Sequence, residues 1–171
     1  TTHQDVAEHI DIPTVNAVNT FVEIREDYLD AFNRNGRTQF QFAFDRATDG
    51  DGYFDYISFR AGDYVVELER PELIIEYVLE DCFEFPTVPA PTQGPFTTTI
   101  FSNQGEDGFV TEWHWSSEIG YLFNTNAPSF QVGDSGQRQQ LMGMLSFDTS
   151  SIPANATIDS VEVRLYRAGA S

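Results

Sequence analysis

Apolar and polar residues alternate with a period of two along much of this chain, most clearly where Val161, Val163 and Leu165 interleave with Glu162, Arg164 and Tyr166. That period sends alternate side chains to opposite faces of a sheet, so residues 157–169 read as a strand with one buried face. The same pattern recurs at 38–45, where Phe40, Phe42 and Phe44 point inward and Gln39, Gln41 and Ala43 outward. Residues 55–61, 64–68 and 70–80 supply three more apolar runs in quick succession, which suits antiparallel pairing. Strand signals return at 96–115 and 139–150, separated by a Gly-containing polar loop.

The period changes once. Thr20 and Glu23 have the spacing of a capping box, Ile24, Tyr28 and Phe32 share one helical face, and Gly36 follows as a terminator. The spacing predicts one short helix within residues 19–36. From Pro86 to Pro95 inclusive there are four prolines, a composition that favours an extended, semi-rigid spacer. The chain therefore divides into 1–80, a Pro-rich linker at 81–96, and 97–171.

Composition sharpens the class. Fifteen Phe, seven Tyr and two Trp favour sheet over helix, so the chain is expected to be mainly β. Twenty-seven acidic residues face nine basic ones, and a net charge of -18 argues against nucleic acid and anionic membranes as partners. Every basic residue is Arg. No apolar run approaches the roughly 20 residues of a membrane-spanning helix. The start, which has neither an initiator Met nor a signal-peptide pattern, reads as processed or internal sequence.

The run from Arg138 through Leu145, Phe147, Asp148, Ser151, Ile152, Pro153, Ala156, Thr157, Ile158, Leu165 and Tyr166 resembles the beginning of DNRLRE-type β-sandwich domains. These are related to a group of carbohydrate-binding modules and occur in secreted and cell-surface proteins. The stretches Thr38–Phe40, Asp49–Gly52, Asp55–Phe59 and Arg70–Leu73 look like the end of the same kind of domain. The resemblance implies a jelly-roll-like antiparallel β-sandwich, but with its halves in reversed order. Three arrangements satisfy that order: one period of a tandem array, a subunit completed by half of its neighbour, or a circular permutant that folds alone. The first two are favoured, because a permutant's spacer is expected to carry the chain across the domain while the chain ends sit side by side. The expectation is then a sandwich completed between neighbouring units, with copies of itself as partners in a linear polymer.

Candidate chemistry is sparse. Asp45, Asp49, Asp51 and Asp55 surround two glycines, and such a loop can offer oxygens to calcium or can simply be a polar hairpin loop. Asp107 and Asp134 form a second, more widely separated candidate. Trp113 and Trp115 share one face of an expected strand, with His114 on the other; the indoles could form a platform for polysaccharide or pack in the core. Asn155 opens an Asn-Ala-Thr glycosylation acceptor, or suits a bend. Cys82, the sole cysteine, could form an intersubunit disulfide or be a buried thiol. His3, His9 and His114 lack zinc spacing, and no nucleophile elbow or oxyanion loop is evident, so no enzymatic activity is expected. The sequence points to a structural repeat or subunit of an extracellular filament or surface adhesin, or else to a carbohydrate-binding module of a larger secreted protein.

Overall fold

The computed structural model describes residues 6–7, 14–45, 51–79, 93–114, 117 and 119–170. Among the described residues ten strands occur in chain order as β1 (Val18–Glu23), β2 (Arg37–Phe42), β3 (Asp55–Arg60), β4 (Glu72–Leu79), β5 (Gln93–Phe101), β6 (Gly108–Glu112), β7 (Gly120–Asn124), β8 (Ser129–Asp134), β9 (Gln140–Asp148) and β10 (Ala156–Ala170). They form one continuous antiparallel sheet in the order β5-β4-β10-β3-β8-β9-β6-β7, with β1 on β10 and β2 on β9. The protein is mainly β, and its inward faces share one core in a sandwich-like fold.

Alternation explains that core. On β10, Val161, Val163 and Leu165 are fully buried, and on β4 so are Leu73 and Ile75. From the other end of the sheet, Phe40, Phe42, Phe59, Phe130, Leu145 and Phe147 join the same cluster. The Phe40 ring meets Phe147 edge-on at 5.9 Å, while Phe42 and Phe59 lie 6.0 and 5.5 Å from Phe130. Gly143 admits Phe130: a Cβ there would stand 2.5 Å from the ring.

Three local expectations are corrected. Residues 18–23 form β1, and the helical signal survives only as a 3-10 turn over Glu26–Ala31. Val18, Thr20, Val22 and Ile24 also alternate, and β-branched residues pairing along β10 outweigh an isolated capping box. Ile24, Leu29 and Phe32 still face the core. Residues 64–68 make no strand; a 3-10 turn at Glu67–Glu69 follows, with Val65 84% and Leu68 73% exposed. Arg60 stacks over Tyr64 at 3.8 Å and pairs with Glu69, and Arg70 Nε donates to the Tyr64 carbonyl, so polar contacts hold this segment as a loop. The expected loop between 115 and 139 contains β7 and β8, and β8 contributes the buried Phe130 and Val132.

Strands of 1–80 and 97–171 pair with each other within this chain. Leu79 and Gln93 are direct Cα partners, so the described residues on either side of 80–92 lie next to each other, and residues 93–96 already belong to β5. Val18 is the partner of Arg167, so the early and late strands do lie side by side.

Candidate functional site

The joint between the halves is centred on β10. Its partners are β1 along Glu162–Arg167, β4 along Ala156–Arg164 and β3 along Arg167–Ala170. All three come from the first half. Ile24 N donates to the Val161 carbonyl and Ala17 N to the Arg167 carbonyl, extending the seam past β1. On its outer face Arg164 pairs with Glu72 and donates to the Leu68 carbonyl at 3.1 Å. Burial nonetheless holds the Glu72 pKa above its usual range, outweighing the Arg164 guanidinium. Burial also raises Glu162, and the neighbouring Glu23 and Glu76 carboxylates push it the same way.

A buried carboxylate makes a second tie. Asp107, fully buried, accepts from Gly62 N at 3.0 Å and from Ser146 N at 2.9 Å, joining a loop of the first half to β9 of the second. Burial pushes its pKa up to about 6, against the backbone donors and the adjacent Ser102 hydroxyl, which favour the charged form. That hydroxyl lies beside the carboxylate without meeting strict hydrogen-bond geometry. Thr149 adds a third tie, its backbone N–H donating to the Gly36 carbonyl at 2.8 Å and its hydroxyl to the Asn33 carbonyl.

The aromatic candidate takes an unexpected form. Trp113 lies just beyond β6 and is 52% exposed, and its ring meets Tyr121 at 4.2 Å and 89°. Trp115 lies outside the described residues. On and beside the neighbouring strand β7 the exposed apolar side chains are Ile119 (62%), Tyr121 (54%), Leu122 (59%) and Phe123 (56%). The turn carrying them is well held: Trp113 N donates to the Ile119 carbonyl at 2.7 Å, and Gln139 Nε2 donates to the Glu112 and Trp113 carbonyls at 2.9 and 3.0 Å. Glu112 accepts from Ser117 Oγ and Gln140 N. Sequence reasoning missed β7; the available signal was the alternation of Ile119, Tyr121 and Phe123 without a charged residue, hidden by its brevity.

The acidic loop is only partly described. Asp45, Asp51 and Asp55 are exposed, whereas Asp49 lies outside the described residues. Asp51 Oδ1 accepts from Tyr53 N, a local turn bond, and Asp55 sits opposite Asp134, whose carboxylate accepts from Asp55 N at 3.1 Å. Thus the structure unites the acidic loop with Asp134, while Asp107 lies in the separate tie above. Among the described residues, no three His, Cys, Asp or Glu side chains gather as a metal-binding group. Asn155 is exposed immediately before β10. Cys82 lies outside the described residues. No described helix is long and apolar enough to cross a membrane.

Comparisons with known proteins returned no matching family, no matching curated protein and no matching solved structure.

Proposed function

We propose that this protein is a structural unit of an extracellular filament or cell-surface adhesin, in which units join by exchanging complementary halves of a DNRLRE-like β-sandwich. One observation carries the reading: every strand paired with β10 comes from the other half of the chain. Such a strand makes the same contacts whether its acceptor is its own chain or a copy. The closed chain is then the unexchanged form, and opening at the spacer converts the same pairings into a joint between units. The function is mechanical, the surface carboxylates keep the assembly dispersed, and calcium at the Asp45, Asp49, Asp51 and Asp55 loop is part of the proposal.

Asn19 and Tyr166 are Cα partners across β1 and β10, which provides the test. In a Cys82→Ser background, Asn19→Cys and Tyr166→Cys chains are unfolded together and refolded under mild oxidation. Antiparallel partners sit within disulfide range, so exchange yields a mixed disulfide between the two chains. Mixed dimers and fibres in electron micrographs are expected. If all material remains closed monomer without mixed disulfide, the reading fails.

The exposure of Trp113 and Tyr121 favours a second reading, a carbohydrate-binding module. It predicts retention on a polysaccharide column that Trp113→Ala abolishes, and unchanged retention removes that site.

A further inference from the structure

The last strand of the sheet order, β7, pairs among the described residues with β6 alone, which leaves its other edge without a described partner strand. All five of its residues are exposed. Natural edges are commonly guarded by charge or proline. The opposite end of the sheet is guarded in that way, since β5 carries Pro95 and the polar run Thr97, Thr98, Thr99. β7, with the sequence Gly-Tyr-Leu-Phe-Asn, has neither device.

Charge decides who can approach it. The chain carries a net charge of -18, yet residues 119–133 contain no charged side chain at all. A second copy meets β7 without opposing carboxylates; the longer uncharged run at 85–105 includes the other edge strand, β5, but that edge carries Pro95. We infer that β7 pairs antiparallel with β7 of a second copy, about a two-fold axis through Leu122, joining two sheets edge to edge. Tyr121 and Phe123 of each copy then cover apolar side chains of the other, and unpaired backbone groups on both edges find partners. The hydrogen bonds that Gln139 and Ser117 make around the Glu112 turn hold the hairpin in shape beforehand, which lowers the ordering cost of association. The contact is isologous and closes on itself, unlike the open-ended exchange of halves; the two together would link polymers side by side. Burying half-exposed side chains of this number gives an interface at or below the ~1,200 Å² low end for stable complexes, so pairing is weak for isolated units and strengthened in an array.

The test uses the whole chain with Cys82→Ser. An antiparallel two-fold axis brings residue 122 against its own copy, within disulfide reach. Leu122→Cys is expected to give disulfide dimers at least tenfold faster than Val65→Cys, a highly exposed control outside the strand. In analytical ultracentrifugation at moderate salt, the parent chain shows concentration-dependent dimers, and Leu122→Glu weakens them at least tenfold while far-UV circular dichroism is unchanged. Equal crosslinking of Leu122→Cys and Val65→Cys overturns the inference, as does a dimer indifferent to Leu122→Glu. A strict monomer whose polysaccharide retention is lost in Leu122→Glu also overturns it and makes the strand a glycan surface. Exchange of halves is read separately, by the mixed disulfide between residues 19 and 166.

Discussion

Val22 in the first strand is the Cα partner of Val163 in the last, and both side chains are buried in the same core. The pair closes the seam on one side of β10, while Leu73 on β4 faces Val163 from the other side. The last strand is thus clamped between two segments of the first half of the chain, β1 and β4. Its side chains are the sensitive points of the fold.

Leu165 is fully buried on that strand, opposite Thr20. Leu165→Ala is expected to lose about 2–5 kcal/mol through lost transfer energy and a residual cavity. Urea unfolding measures the loss. Tyr166→Ala, at a partly exposed position on the outer face, should cost less than half as much.

Asp107 makes stability depend on pH. Its carboxyl titrates near 6 in the folded protein against 3.8 as the reference value, so folding favours the protonated form. The contribution is fully favourable below the unfolded value, declines as pH rises through the interval, and is lost above about 6. The difference is on the order of 3 kcal/mol. Asp107→Asn should flatten the stability profile across pH 4 to about 6 relative to the parent. It should also cost about 1–3 kcal/mol at the acid end, because an amide cannot accept from both Gly62 N and Ser146 N. An unchanged slope counts against the assignment.

Glu162 acts in the same direction at the seam. Its folded pKa is raised by burial and by Glu23 and Glu76, so β10 pairing is favoured on the acid side and weakened as pH rises through the folded value. Glu106 and Asp148 are lowered and slope oppositely, which makes the variant comparison decisive. Glu162→Gln should raise the melting temperature at neutral pH and leave it nearly unchanged well below the unfolded carboxylate range.

Gly133 has φ +140°, and a Cβ there would stand 2.1 Å from the Asp55 carbonyl oxygen. Gly133→Ala combines backbone strain with a clash against β3 and is expected to cost about 3 kcal/mol or more. Gly105→Ala, with φ +75° but open space, should retain the strain and avoid the clash. Comparable losses in the two variants would show that the clash relaxes freely.

Calcium is tested by melting. Part of the proposal is that the Asp45, Asp49, Asp51 and Asp55 loop binds it, which predicts a higher melting temperature in calcium than in chelator. Equal values remove that part.

Local periodicity was enough to place β2, β3, β4, β9 and β10 and most of the core they carry, because alternating Phe, Val, Ile and Leu can satisfy a half-buried strand in only one orientation. It misplaced residues 18–23 because a capping box and a strand can occupy the same letters, and only the presence of β10 alongside decides between them. It missed β7 because the alternation of Ile119, Tyr121 and Phe123 is short and, on a strand exposed at every residue, is not reinforced by a buried face. The carboxylates followed the same division. Asp55 and Asp134 stand opposite each other only through the β3–β8 register, and Asp107 becomes a tie only where Gly62 and Ser146 converge on it. What the sequence determined by itself was the class and the strands with one apolar face. Only the tertiary structure decided that the partners of β10 are β1, β3 and β4 of the same chain. Strand pairing depends on which edges meet in space, and that is set by the packing of all the apolar faces together.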